Sequence, residues 1–336
     1  MKSYKTNLLF FLLFSFPLFA FCGKPEVIAE ETLSEEAQRA YDQFNDYANR
    51  GTIDEAFLFF TDPHLLGAYS VFDEEVRENF ESSFDVAKVL YDTLSLGFCL
   101  CGGDWLRAGD TQLAAKEKLL FADKQMKELF DHYYKMMGNH DTNYQGIISS
   151  KNNNRGDLPL DFINKEYFSE TGSAYYSFMG RKTLFYVLDS GLDWSVSMDD
   201  YRWEQIHWLA KRLLVDNSEH IGLCIHMFRI QTPTPMSRLI VELSDAYNAN
   251  KAIKIKNELY DYSSTSGKIH FIIAGHNHED SVFYVGEKSN IPVIQSCNFT
   301  IEGTKTFDIC MVDYSNNMME MIRVGFGDSR EVQLLN

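Results

Sequence analysis

The sequence predicts an α/β fold. Three observations carry that expectation. Short apolar runs recur, and each ends directly in polar residues. Helix-spaced segments lie between most of them. No Pro-, Gly- or Ser-rich linker breaks the alternation, so one domain is expected over 55–330.

Taken in order, the first element is an export signal at 1–22. Lys2 and Lys5 precede LLFFLLFSFPLFAF, and the chain turns polar after Cys22. The run is too short for a transmembrane helix and contains Pro17. Two processing outcomes are open: cleavage after Ala20, or lipid attachment at Cys22, which Gly23 follows. Phe21 fits the second poorly. Either way the protein is expected to be exported: periplasmic, secreted or held at a membrane as a lipoprotein. Residues 33–50, LSEEAQRAYDQFNDYANR, have helical spacing and predict an N-terminal helical extension.

The recurring runs follow. They are AFLFF before TDPH, LGFCLC before GGD, YYKMM before GNHD, IGLCI before HMF, and HFIIA before GHNH. Helix-like stretches cover 72–92, 111–132, 200–215 and 236–260. The segments AYYSFMG, RKTLFYVLDS, SVFYVG, IPVIQSC, FDICMVDYS and MMEMIRVG have hairpin character. They predict a second, more antiparallel sheet.

Composition bounds the function. With 336 residues, 45% of them apolar, the chain can bury a sizeable core. A net charge of −17 argues against a nucleic-acid-binding surface. Apart from Cys22, the cysteines lie in strand-like runs at spacings that suit neither a metal clip nor a disulfide framework. Buried free thiols are expected.

The polar residues at the strand ends are Asp62, His64, Asp104, Asn139, His140, His226, His276 and His278. Five of the nine histidines fall in this set. In α/β folds, residues just past the C-terminal ends of strands converge on one crevice. Imidazole with carboxylate suits first-row divalent metals, Mn, Fe and Zn among them. Asp62 with His64, and His276 with His278, place two donors at one strand end. Asp104 offers two oxygens and Asn139 a neutral carbonyl. Alone, each block has a plain structural reading: GGD as a turn, GNHD as an Asx-turn opening a helix, GHNH as a surface turn. His132, His207, His220 and His270 lie inside helices or at strand starts and read as structural.

Joint occurrence in this order changes the weight. The blocks TDPH at 61–64, GGD at 102–104, GNHD at 138–141, His226 and GHNH at 275–278 resemble the calcineurin-like metallophosphoesterases over roughly 55–315. The resemblance implies a four-layer α-β-β-α sandwich, two mixed sheets flanked by helices. It implies two divalent transition-metal ions. Asp62, His64 and His278 would hold one, and Asn139, His226 and His276 the other, with Asp104 bridging. A hydroxide between the ions would attack phosphorus in a small phosphate ester. His140 would act as general acid, and Asp141 would orient its neighbours. Some members have an acid or a metal-binding Tyr where Arg107 stands, so neither that dyad nor a tyrosinate–iron centre is expected. Arg107 is a candidate substrate contact, or the partner of an acid such as Asp110. Met227 and Phe228 also depart from the pattern. AYYSFMGRKTLFYVLDS, with WEQIHWLAKRLL, looks like the branch of cyclic-nucleotide phosphodiesterases and acid-phosphatase-like exported hydrolases.

Two rivals stand beside the phosphoesterase. One is a secreted binding protein that keeps the fold without catalysis, which the intact ligand set disfavours. The other is a single-zinc hydrolase, for which seven candidate ligands are too many. The loops 143–172 and 228–238 offer Arg155 and Arg229 as further phosphate contacts without naming a substrate.

Overall fold

In chain order the strands are β1 (Glu55–Phe60), β2 (Cys99–Cys101), β3 (Tyr133–Lys135), β4 (Tyr176–Met179), β5 (Thr183–Leu188), β6 (His220–Ile225), β7 (Ala252–Ile255), β8 (Glu258–Asp261), β9 (Lys268–Ala274), β10 (Ser281–Val285), β11 (Ile291–Gln295), β12 (Thr300–Ile301), β13 (Thr304–Lys305), β14 (Phe307–Asp313), β15 (Met318–Val324) and β16 (Arg330–Gln333). The longer helices are α1 (Glu35–Arg50), α2 (Asp85–Thr93), α3 (Gln112–Leu129), α4 (Asp200–Val215) and α5 (Pro235–Asn248). The computed structural model describes residues 33–65, 78, 80–107, 110–143, 158–190, 198–216, 218–229, 234–301 and 304–335. The expected export signal with Cys22, part of 72–92, and Arg155 lie outside the described residues.

Five apolar runs become parallel strands. β1, β2 and β3 pair in parallel in one sheet. β5, β6, β9 and β11 pair in parallel in the other. The sheet orders are β16-β15-β14-β1-β2-β3 and β10-β11-β9-β6-β5-β4. The hairpin segments do not make a sheet of their own, which corrects that expectation. β14 joins β1 antiparallel and continues into β15 and β16, while β4 and β10 close the edges of the other sheet. The reason is burial. All seven residues of β14 are buried, so it needs cover on both faces and takes an interior place beside β1.

The helix expected over 236–260 ends at Asn248. Asn250 then adopts a left-handed conformation (φ 51°), a common helix stop. Residues 252–261 turn back as the β7–β8 hairpin, with Lys256 at its tip also left-handed (φ 51°).

Alternation along β5 divides the core. Phe185 points inward between the sheets, 5.6 Å from Phe57 and 5.1 Å from Phe98 by ring centroids. Leu184 and Tyr186 point outward, into a cluster with Ile206, Leu209 and Leu213 of α4 and Ile240 and Leu243 of α5. α1 and α2 pack on the first sheet against β15 and β1. The result is two mixed sheets face to face with helices outside, four layers in all. α1 is therefore part of this packing and not a free extension. Cys99, Cys101, Cys224, Cys297 and Cys310 are buried and unpaired.

One ion cluster ties the two sheets together beside the GHNH turn. Arg323 of β15 is 1% exposed. Its guanidinium donates to Asp308 at 2.8 and 3.0 Å, and to Asp280 at 2.8 and 2.7 Å. Asp308 is on β14, whereas Asp280 leads from the GHNH turn into β10. Arg330 also donates to Asp308, at 3.0 Å. Removing Arg323 takes the bidentate partner from the buried Asp308 and leaves it only Arg330 and the Ser296 hydroxyl. Arg323→Leu is expected to lower the unfolding free energy by about 3 kcal/mol, the scale for breaking a buried pair. Urea denaturation measures it, and a loss under about 1 kcal/mol, the usual worth of an exposed pair, would overturn this account.

Candidate metal centre

The C-terminal ends of β1, β2 and β3 meet those of β6 and β9. Asp62 and His64 follow β1, Asp104 follows β2, Asn139 and His140 follow β3, His226 follows β6, and His276 and His278 follow β9. All seven predicted ligands therefore come to one place.

The backbone is bent to bring them there. Asp62, His64, Asp104, His276 and His278 all have left-handed φ, between 47° and 73°. Such conformations cost non-glycine residues about 1–3 kcal/mol each and gather at functional sites. Two glycines allow the close approach. A Cβ on Gly138 would lie 2.1 Å from Asp104 Oδ1, and one on Gly275 would lie 2.0 Å from Thr61 Oγ1.

One half of the site is Asp62, His64 and His278. Asp62 Oδ2 accepts from the Thr61 hydroxyl at 2.6 Å and from the His276 N–H at 2.9 Å. That turns Oδ1 inward, 3.1 Å from His278 Nε2 and 4.0 Å from His64 Nε2. His64 Nδ1 donates to the Leu106 carbonyl at 2.7 Å, which leaves the Nε2 lone pair facing the site.

The other half is Asp104, His226 and His276, with Asn139 among them. His226 Nδ1 donates to the Gly102 carbonyl at 2.6 Å. Its Nε2 stands 3.0 Å from Asn139 Oδ1 and 3.2 Å from Asp104 Oδ2. His276 Nδ1 is 2.8 Å from the same Asn139 oxygen. Within each trio, Asp62–His64–His278 and Asp104–His226–His276, the donor atoms lie within 4.8 Å of one another.

The electrostatics favour positive charge. Burial would raise the Asp62 carboxyl, but His226 and His278 hold it well below the usual range. Burial opposes a proton on His226, yet Asp104 and Asp62 push its pKa up to about 10. Asp104 Oδ2 is buried and has no hydrogen-bond partner. A buried carboxylate oxygen that faces an imidazole, His226 Nε2 at 3.2 Å, fits a divalent transition metal by donor type and by charge.

Asp141 does not reach this pocket. Its two oxygens accept from the backbone N–H groups of Asp104 at 2.8 Å, Trp105 at 2.7 Å, Leu106 at 3.2 Å and Gly138 at 3.1 Å. It is fully buried and holds the loop that carries Asp104, which is a positioning contact. Asn143 helps from the same turn, exchanging two hydrogen bonds with the backbone of Asp110 at 3.0 and 2.8 Å.

Arg107 donates from Nε to the His64 carbonyl at 3.0 Å. It braces a predicted ligand's backbone and is otherwise exposed. It does not pair with Asp110, which accepts from Lys118 at 2.8 and 2.9 Å. Arg229 lies near His276, whose proton affinity falls mainly through burial and the His226 charge and in smaller part through this arginine. His220 and His270 sit at the opposite ends of β6 and β9, 3.0 Å apart. His220 stacks on Tyr314 there. Sequence reading passed over Thr61, although it stands inside the quoted TDPH. Its hydroxyl fixes Asp62, and its carbonyl accepts from Phe299 N–H at 2.8 Å.

Two mixed sheets with this cluster at their joint edge make the four-layer sandwich that the resemblance implies. Comparison with solved structures agrees at that level: the chain is similar to a dimetal phosphatase from Danio rerio, with 13% identity and a TM-score of 0.53, over 84% of this chain and 99% of that one. It is also similar to a 5'-nucleotidase from Candida albicans, with 13% identity and a TM-score of 0.47, over 82% of this chain and 52% of that one. No family model matches the sequence, and no curated protein matches it significantly.

Proposed function

We propose that this protein is an exported, dinuclear metal-dependent hydrolase of small phosphate esters, monoesters or diesters. The observation that carries the reading is Asp104, a buried carboxylate that groups both with His64 and with His226 and His276. Asp62, His64 and His278 would hold one divalent cation, Asn139, His226 and His276 the other, and Asp104 both. When bound, such a pair supplies Lewis acidity at the phosphoryl oxygens and an acidified water.

The remaining work falls to the chain itself. Leu106 and Gly102 carbonyls fix the tautomers of His64 and His226. Asp141 holds the GGD loop so that Asp104 stays between the two groups. Asp104 Oδ1 in turn accepts the His140 N–H at 2.7 Å, which aims the His140 ring at the pocket beside His64. A protonated His140 there can neutralise the leaving oxygen.

The test is metal content with turnover. The purified protein is expected to hold close to two transition-metal ions. A chelator should abolish hydrolysis of p-nitrophenyl phosphate and bis-p-nitrophenyl phosphate, and Mn, Fe or Zn should restore it. Full turnover by the chelated protein would overturn the reading.

A further inference from the structure

The GHNH turn gives one candidate ligand to each half of the site. His276 groups with Asp104 and His226, and His278 with Asp62 and His64. Both histidines are left-handed, at φ 73° and 56°. A turn with two such residues keeps its shape only where its surroundings impose it. Burial does not impose it here. The His278 side chain is 42% exposed, and Asn277, between the two histidines, is exposed as well.

Hydrogen bonds hold the turn instead. At its near end the Gly275 N–H donates to the His226 carbonyl at 2.9 Å. At its far end Asp280 accepts from Arg323. The middle is held by Gln295, the last residue of β11. Gln295 Oε1 accepts from Asn277 Nδ2 and from the Ser281 hydroxyl, both at 2.9 Å. Gln295 Nε2 donates to the Phe228 carbonyl at 3.3 Å. Phe228 stands two residues past His226. One side-chain amide therefore ties the turn that carries His276 and His278 to the segment that follows His226.

Gln295 is itself well anchored. It is 3% exposed. Its backbone pairs with Ala274 of β9 on one side and Ser281 of β10 on the other. Its carbonyl accepts from Arg330 at 2.7 Å. The Phe228 carbonyl can only accept, and that fixes which way the amide faces.

We propose that Gln295 is a positioning residue of the metal centre. It holds the GHNH turn against the segment after His226, so that His226, His276 and His278 are set in place before an ion arrives. The proposal rests on the dinuclear reading of the site. Gln295 acts through the Asn277 side chain and the Phe228 backbone. Ligands ordered in advance lose less freedom on binding, and removing such a supporting partner typically costs about 10–100-fold in metal affinity.

Calorimetric titration of the metal-free protein with Mn²⁺ tests it, beside a thermal melt of the same metal-free sample. Gln295→Met keeps the length of the side chain and removes its hydrogen bonds. It is expected to weaken both ions by about 10–100-fold, because the turn supplies a ligand to each. Asn277→Ala cuts the same tie from an exposed position. It should weaken both ions likewise, with the melting temperature of the metal-free protein unchanged. If Gln295→Met does not fold, Asn277→Ala alone decides. Parent-like affinity for both ions in either folded variant would overturn the proposal and leave the dinuclear reading standing. A lowered melting temperature with unchanged affinities would make Gln295 a packing residue only, and would overturn it equally. A parent protein that binds no Mn²⁺ would overturn the dinuclear reading and this proposal with it.

Discussion

Asp104→Asn is expected to lose both metal ions together and to bring phosphate-ester hydrolysis down to the background rate. Asp104 is placed to serve both halves of the site. Oδ2 faces His226 at 3.2 Å without a hydrogen bond, and the side chain also groups with His64 and His140. Asparagine is the better substitution because it tolerates the left-handed backbone at this position (φ 63°), whereas alanine adds about 1–2 kcal/mol of strain. The backbone N–H that Asp141 holds at 2.8 Å is untouched, so the loop should keep its place. What goes is one negative charge and its bridging geometry. Metal analysis after dialysis reads the result, with a thermal melt to show that the fold survives. Asn139→Ala is the contrast, since Asn139 groups with His226 and His276 alone and should cost one ion. Two ions retained in Asp104→Asn would remove the bridge from this account.

The candidate ligands are legible in the sequence because their signal is chemical and local. An Asp or His directly after an apolar run is visible without knowing which strands pair. The pairing was not legible. FDICMVDYS and MMEMIRVG look like any hairpin, and only the burial of β14 on both faces places it beside β1. The overlong helix at 236–260 failed for a related reason. Its stop is written in the left-handed Asn250, and AIKI and ELYD are too short to oppose a helical pattern that runs into them. Thr61 and Asp141 show a third limit. Both stand inside motifs that were read, but a motif does not say which way a side chain points. Thr61 turns onto Asp62, and Asp141 turns away from the pocket into backbone N–H groups. The αL conformation of five candidate ligands is equally hidden, since Asp and His adopt either backbone state and only the folded site requires this one.

His140→Ala is expected to keep both ions while turnover of an alkyl phosphate ester falls by about 10²–10⁴-fold, the usual contribution of a general acid. The geometry leaves two roles open, and the experiment separates them. The ring stands edge-on to His64, with centroids 4.9 Å apart, and one of its nitrogens lies within 4.8 Å of donor atoms on His64 and Asp104. That is near enough for a ligand. Against it, the His140 backbone is already tied to Asp104 Oδ1 at 2.7 Å, and ring Nδ1 is buried with no protein partner to fix a tautomer, unlike Nδ1 of His64 and His226. Ligating histidines are normally oriented through their second nitrogen. An imidazole without that anchor is better placed to carry a proton to a leaving oxygen. Leaving-group dependence then follows. Nitrophenolate is a stable anion and needs little protonation, so His140→Ala should cost much less with p-nitrophenyl phosphate than with an alkyl ester. Loss of one ion in the variant would make His140 a ligand. Equal losses for the two ester classes with both ions bound would leave it a purely electrostatic role over the phosphate.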